Sequence, residues 1–386
     1  FSTSKLTGIK ILAGKLPTID VPLQVGGSTE TVEVSGAAPL VDVTQSKVAT
    51  TITQDILQDI PKVRSFQSVI QLAPGSRTEP LQAPTAGYSN HQGTNQANGF
   101  QIDGASSTEN AYLVEGQETA SVFDGSSSAN VPIEFIKVVQ VKTSGFEAEY
   151  GGTLGGVVNV IQKRGSNNYH GSFFTYYSGD MLNAAPTGTL RYNPATTTNG
   201  RFDAASELYQ PKKDSFHIVE PGFELGGPIM KDRLWFFASS VPRFQSLTRT
   251  VNFSAPYNVT RALHEDVTTY YSLARLDFLA TQKIRLFGSW QYGYERGTGT
   301  SFPSADSPYG QKNTSASTNP DNFNGGIGYV APNVIYNTGA DITLTPNLVA
   351  TSRFGYFYQD YQDRGLPVGL RYIYRDTNYP YSTANQ

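Results

Sequence analysis

Cysteine is absent from the 386 residues. No disulfide framework and no thiolate metal site can be built from this chain. The four histidines, His91, His170, His217 and His264, stand far apart, and none has the spacing of an HExxH pair. No run approaches the roughly 18 consecutive apolar residues that a spanning helix needs. That excludes a helical membrane protein and says nothing against a β-barrel. An excess of positive charge is missing too: 29 Lys and Arg face 32 Asp and Glu, a net charge of −3. Electrostatics therefore gives no reason to expect nucleic acid as a partner.

What is present is glycine and aromatic side chain: 37 Gly, 23 Tyr and 21 Phe. With a mean hydropathy of −0.33, this is the composition of an all-β chain with many turns. It is equally that of a membrane β-barrel, where lipid-facing and lumen-facing residues alternate and average out. The length allows two or three domains.

Three regions differ in texture. Residues 1–38 carry short alternating runs, IKIL, IDVPLQV and TETVEV, broken by Gly14, Pro17 and Gly26-Gly27. They read as the last strands of a small β-sandwich, too few to bury a core alone. Residues 39–165 are mixed. TITQDILQDIP predicts a short helix with Thr53 as N-cap, Ile56, Leu57 and Ile60 on one face, and Pro61 as its stop. RSFQSVIQLAPG predicts a second, with Phe66, Val69, Ile70 and Leu72 inward. A polar stretch from Pro80 to Asn98 follows, then the strand-like pieces GFQIDG, AYLVEG, EFIKVVQVKTSG and GGVVNVIQK. Short helices among short strands describe an α+β domain.

From residue 166 helical periodicity disappears. In KIRLFGSWQYGYE the even positions are Ile284, Leu286, Gly288, Trp290, Tyr292 and Tyr294. The odd positions are Lys283, Arg285, Phe287, Ser289, Gln291, Gly293 and Glu295. One face is apolar and tipped with aromatics, the other polar. LVATSRFGYFYQ repeats the split. Hairpins with tight turns are expected at FELGGPIMKDRLWFFAS, LARLDFLATQKIRLFGSW and ADITLTPNLVATSRFG, separated by long polar segments at 180–214, 245–268 and 296–332. Short turns on one side and long loops on the other are the layout of an outer-membrane barrel. A soluble sheet with one solvated face is the alternative. The aromatic ends of the apolar face, the strand length and the loop asymmetry favour the barrel. About seven strands are expected.

The pairs Gly151-Gly152 and Gly155-Gly156 invite a phosphate-loop reading. That needs a helix after the glycines. Val157, Val158, Asn159, Val160 and Ile161 are strand formers instead, so the glycines are expected at a backbone corner.

The same stretch resembles the end of the plug domain of TonB-dependent outer-membrane receptors. It supplies Ile133, Glu134, Ile136 and Val138, then Tyr150-Gly151, then Gly155-Gly156-Val157-Val158-Asn159. DIPKVRSFQSVIQLAPG resembles the plug's early helices, and FQIDG with YLVEG its central hairpin. FELGGPIMKDRLWFFAS resembles the first periplasmic hairpin of the Oar-like group, which carries an N-terminal carboxypeptidase-regulatory-like domain. The resemblance implies a mixed fold in three parts. Residues 1–38 end the accessory β-sandwich, 39–165 form an α+β plug domain, and 166–386 begin an antiparallel transmembrane β-barrel. Because family barrels have about 22 strands, the barrel is expected to be incomplete and the chain a piece cut at both ends.

Function follows from the resemblance as an expectation: energy-coupled uptake of a bulky ligand across a Gram-negative outer membrane. The implied partners are the TonB complex, whose contact segment is not identifiable, outer-membrane lipid and an unknown extracellular ligand. The alternative is an Oar-like outer-membrane protein serving adhesion or protein export. Ligand-facing candidates on the plug are Tyr88, Asn90, His91, Asn95, Phe123 and Asp124, whose aromatic and amide groups suit a sugar-like or peptide-like ligand; as plain loop they would only be solvated. Structural signature positions are Ile133, Glu134, Tyr150, Gly151, Gly155, Gly156 and Asn159. Lys163-Arg164 and Glu147/Glu149 are candidates for plug–barrel ion pairs. No catalytic constellation, zinc spacing or cofactor motif stands out, and an enzyme is not expected.

Overall fold

Period-two alternation from residue 170 onward becomes, in the computed structural model, one antiparallel sheet packed against a smaller α+β unit. The structure describes residues 4–7, 32–35, 48–60, 66–78, 100–122, 125, 127–129, 131–185, 187–192, 206–209, 213–253, 257, 259–299, 320–322, 325–345 and 348–365. Of the first 38 residues, the described ones are Ser4–Thr7 and Val32–Ser35, a parallel pair. The rest of the expected sandwich lies outside the described residues.

The α+β unit is built on five strands, β1 (Val48–Thr53), β2 (Ala111–Val114), β3 (Gln117–Glu118), β4 (Ile136–Ser144) and β5 (Val157–Gln162). They lie in the order β1-β4-β5-β2-β3, with β2 and β5 parallel and the other neighbours antiparallel. Strands β2 and β4 are buried on both faces and β5 largely so, with β-branched residues on both faces of β4 and β5, as central strands require. The helix α1 (Gln54–Asp59) begins after Thr53, which holds the extended N-cap conformation but makes no side-chain cap bond.

Two inward faces were expected too wide. Leu57 is buried, while Ile56 is 40% exposed and Ile60 half-buried. A helix of under two turns can aim one position squarely at a sheet. The second segment is a 3-10 helix, Phe66–Leu72, with Phe66, Val69 and Ile70 buried. Leu72 is 42% exposed because the chain turns away and Ala73 takes the buried place. FQIDG and YLVEG do not form a hairpin with each other either. Phe100–Ile102 pairs with Ser76–Thr78, whereas β2 pairs with β5 and β3. A 3-10 turn at Ser107–Glu109, closed by a capping box, redirects the chain between them.

The large sheet comprises β6 (His170–Gly179), β7 (Ser215–Met230), β8 (Leu234–Ser240), β9 (Arg243–Phe253), β10 (Val259–Thr281), β11 (Ile284–Thr298), β12 (Gly328–Thr345), β13 (Leu348–Gln359) and the short Gln362–Arg364, which pairs with β12. All neighbours are antiparallel. β8 and β9 lie end to end across Val241-Pro242 and both pair with β7 and β10. Residues 245–268, expected as a long loop, are therefore mostly strand. β9 and the start of β10 stand beyond the apolar band and carry Ser, Thr and His outward, so no apolar alternation marks them.

Which face is buried decides what the sheet is for. On β11 the polar odd positions Ser289, Gln291 and Glu295 are buried, while Leu286 and Trp290 on the apolar even side are 38% and 39% exposed. The same inversion holds on β10, where Arg275 and Asp277 are buried and Tyr270 and Leu276 exposed. A soluble sheet would do the reverse. The apolar face runs from Ile284 to Tyr294 and is followed by the outward Arg296. At about 3.3 Å per residue and a tilt near 45°, those residues span roughly 23 Å, close to the ~25 Å apolar band of outer-membrane barrels. Phe244 with Tyr270, and Trp290, Tyr292 and Tyr294 in a stack, form the aromatic margin.

This inversion is testable at Leu276. Leu276→Arg should lower the folded fraction by about 2–4 kcal/mol, the cost of a cation at mid-bilayer, read as loss of the heat-modifiable folded form in membranes. A water-facing Leu276 would tolerate arginine with little change.

Candidate functional site

The six ligand-facing candidates, Tyr88, Asn90, His91, Asn95, Phe123 and Asp124, lie outside the described residues. What the structure does assemble is the contact between the α+β unit and the inner face of the large sheet.

The glycine corner comes first, because it positions that contact. Gly155 and Gly156 are buried. A Cβ on Gly156 would sit 2.6 Å from Ile102, and one on Gly155 would run into Asn110 Oδ1. The Gly156 N–H donates to Asn110 Oδ1 at 2.8 Å, and Asn110 Nδ2 donates to Phe100 O at 2.7 Å. Tyr112 OH completes the knot by donating to Ser107 O at 3.1 Å. The corner thus feeds β5 into the sheet beside β2. Of the other signature positions, Ile133 and Glu134 sit in a 3-10 turn leading into β4, and Tyr150 and Gly151 in the turn before the corner. Asn159 Oδ1 accepts from the Gly116 N–H at 3.3 Å and so braces the β2–β3 turn.

That turn carries the residue the sequence reading missed. Glu115 takes a left-handed conformation, φ 52°, rare for a residue with a side chain. Its amide donates to Val160 O at 2.9 Å, and its Oε1 accepts from the Gln162 N–H at 2.7 Å. The carboxylate then meets Arg275 of β10 across the interface, Oε1 to Nη1 at 3.1 Å. Arg275 also donates from Nε to Asp277 Oδ2 at 2.8 Å and lies over the Phe287 ring at 4.6 Å. Arg164 approaches the other Glu115 oxygen at 3.6 Å. Burial, with Arg275 nearby, pulls the Arg164 guanidinium below its usual range; it keeps its proton at any ordinary pH.

Around this pair the inner wall varies in character. Phe237, Val241, Tyr271 and Leu273, on or beside β8 and β10, share one apolar core with the α+β unit. β11 and β12 present Ser289, Gln291, Asn333 and Asn337 instead, with Ile335 their contribution to that core. Gln162 Nε2 donates to Gln291 Oε1 at 2.9 Å, and Asn333 Nδ2 to Ser128 O at 2.8 Å. Asn337 Nδ2 reaches Val114 O at 3.4 Å. Lys163 pairs with Glu224 of β7 at 2.6 Å, one of the expected cross-interface pairs. Arg164 and Glu147 differ from expectation, because their partners, Glu115 and Lys142, belong to the same α+β unit. Local turns bring those charges together before the wall can compete.

From Lys163 the chain leads out along β7 and β8. Asn167 donates to Asp232 Oδ1 at 2.6 Å and accepts from the Asp232 N–H and from Trp235 Nε1 at 2.9 and 2.7 Å. This tether ties the lead to the first tight turn. Among the described residues no cluster of His, Asp and Glu could hold a metal ion.

A family model described as "TonB-dependent Receptor Plug Domain" matches residues 40–157, and one described as "Outer membrane beta barrel domain" matches 161–262. The TonB-dependent transporter Oar of Myxococcus xanthus is 29% identical over 257 residues, 64% of this chain and 21% of that protein. The ferrienterobactin receptor of Escherichia coli is 29% identical over 146 residues, 35% of this chain and 19% of its own. The solved siderophore receptor PirA of Acinetobacter baumannii has the same fold, with a TM-score of 0.50 at 20% identity, covering 84% of this chain and 41% of that one. The chain thus spans about a fifth of the length of these two sequence relatives.

Two measurements probe the contact. Arg275→Gln leaves Glu115 with Arg164 at 3.6 Å and Asp277 with Arg285 at 3.3 Å, and should weaken the association of the two units by up to about 3–5 kcal/mol. Glu115→Gln in the same protein should recover part of that loss, read as protease resistance of the α+β unit within the complete protein. Burial also pushes the Tyr112 phenol up to about 12, against a smaller opposing effect of Asn110. A raised pKa means stability that is fully present below the unfolded value near 10 and lost as pH rises through 12. Alkaline unfolding of the α+β unit should therefore steepen above pH 10, and Tyr112→Phe should flatten that limb; an unchanged limb would place the titrating group elsewhere.

Proposed function

Because the chain belongs to the TonB-dependent receptors of the Gram-negative outer membrane, we propose that it serves energy-coupled uptake of a bulky ligand, with residues 39–165 as a displaceable gate. The supporting observation is how the gate is held. Glu115, in a strained turn of the plug, is paired with the fully buried Arg275 of the wall. Such a pair is stable while intact, and leaving one of its charges buried without the other costs about 3–5 kcal/mol. One charge moving through 100 mV releases about 2.3 kcal/mol, so two or three charges deliver work of that size. TonB transmits that work in this reading.

The ligand meets the plug from outside, at the polar stretch with Tyr88, Asn90, His91 and Asn95 and at the loop with Phe123 and Asp124. Residues 1–38 end an accessory β-sandwich in this reading. The work is transport and not catalysis.

Cells carrying the complete gene should accumulate labelled ferric enterobactin, the ligand class of the E. coli relative, or a labelled oligosaccharide. Accumulation should disappear when either the gene or TonB is removed. If gene loss leaves uptake of both probes unchanged and abolishes surface adhesion or protein secretion instead, the import reading is wrong.

A further inference from the structure

Buried polar atoms are unevenly distributed around the plug. The wall of β8 and β10 grips it with Phe237, Tyr271 and Leu273 in a shared apolar core and with the Arg275 pair, where Arg275 Nη1 has the Glu115 carboxylate at 3.1 Å as an ion pair and no aligned hydrogen bond. Facing it from β11 and β12 are Ser289, Asn333 and Asn337, and on the plug side Gln162, all buried. Each of these four keeps one side-chain oxygen without a hydrogen-bond partner: Ser289 Oγ, Asn333 Oδ1, Asn337 Oδ1 and Gln162 Oε1. The direct bonds along this seam include three amide contacts, of which the Asn337 one is long at 3.4 Å.

Separation has opposite consequences at the two walls. Parting the plug from β8 and β10 exposes apolar surface and strands charges, both unfavourable. Parting it from β11 and β12 lets water reach oxygens that have no partner in the closed state, which offsets the loss of a few amide bonds. The register strengthens the contrast, since Phe237, Arg275, Ser289 and Asn337 lie in one row across four neighbouring strands. The change of character therefore follows one row of register-paired residues.

We propose that the plug parts from the described wall first along β11 and β12, and that Ser289, Asn333 and Asn337 line the opening, with β8 and β10 acting as the hinge side. Between the charged Arg285 and Glu295 on the same face of β11, this stretch of lining carries hydroxyl and amide groups, which suit solutes rich in neutral hydrogen-bonding groups. The inference rests on the transport reading and adds where the gate opens.

Two serines provide a matched pair, because serine to cysteine changes one atom and these 386 residues contain no other cysteine. Ser239 and Ser289 both face inward and are 2% and 7% exposed, on β8 and β11 respectively. Ser239→Cys, Ser289→Cys and, as a second probe of the seam, Asn337→Cys would be placed singly in the complete protein. Heat-modifiable migration would confirm folding. Each would be labelled in cells with a membrane-impermeant maleimide, with and without TonB, alongside uptake of labelled ferric enterobactin and of a labelled oligosaccharide. Labelling at Ser289→Cys and Asn337→Cys should quicken several-fold when TonB is present, while Ser239→Cys stays slow. Equal quickening at all three, quickening at Ser239→Cys alone, or no quickening at the seam while uptake of either probe depends on TonB would each overturn the proposal. Uptake of neither probe being TonB-dependent would overturn the transport reading itself, and the inference with it.

Discussion

Lipid claims the apolar face of every strand, and the rest of the molecule follows from that constraint. A strand has only two faces. Once Leu276, Leu286, Trp290 and Tyr292 are committed outward, the inner face keeps Arg275, Asp277, Ser289, Gln291 and Asn337. Anything seated against it is then held in part by polar contacts, whose net worth is small because water competes for the same groups, beside the apolar patch of Phe237, Tyr271, Leu273 and Ile335. A plug held this way can be both well ordered and removable. An apolar interior of similar area would grip far harder.

The plug answers with two different constructions. Its own interior is conventional, with β-branched strands, Phe66, Phe135 and Ile136 in a dry core, and the Asn110 knot fixing the glycine corner. Its outer contact is mixed, with an apolar patch at Phe237, Tyr271 and Leu273, one strained acidic turn meeting one buried arginine, and a seam of amides beside it. A unit that coheres more strongly than it adheres can move as a body. The Asn167 tether to Asp232 and Trp235 keeps the moving part attached to the first hairpin.

Much of this was legible in the residues, for reasons that can be named. A period of two over 283–295 is hard to produce without a strand, and the aromatic tips indicated which face meets lipid. The alternation alone could not say which face is buried, since a soluble sheet has the same pattern with the opposite sense. Gly155 and Gly156 before a run of Val and Ile pointed to a corner, and the clash with Ile102 shows why glycine is required there. β9 was invisible because its outward Thr and Ser stand above the apolar band. Ile56 and Leu72 were misplaced because helices this short do not define a face. Glu115 and Arg275 could not have been paired from the sequence: they lie far apart in the chain, and each looks like an ordinary solvated charge until the fold buries both.

The account stands on the plug being separable from a wall that remains folded. Hydrogen exchange during a urea titration of the complete protein tests this most directly, comparing amides of β4 and β5 with those of β10 and β11. The account predicts two transitions, with the plug amides losing protection at a urea concentration that leaves the wall protected. One cooperative transition, with plug and wall exchanging together, would contradict it.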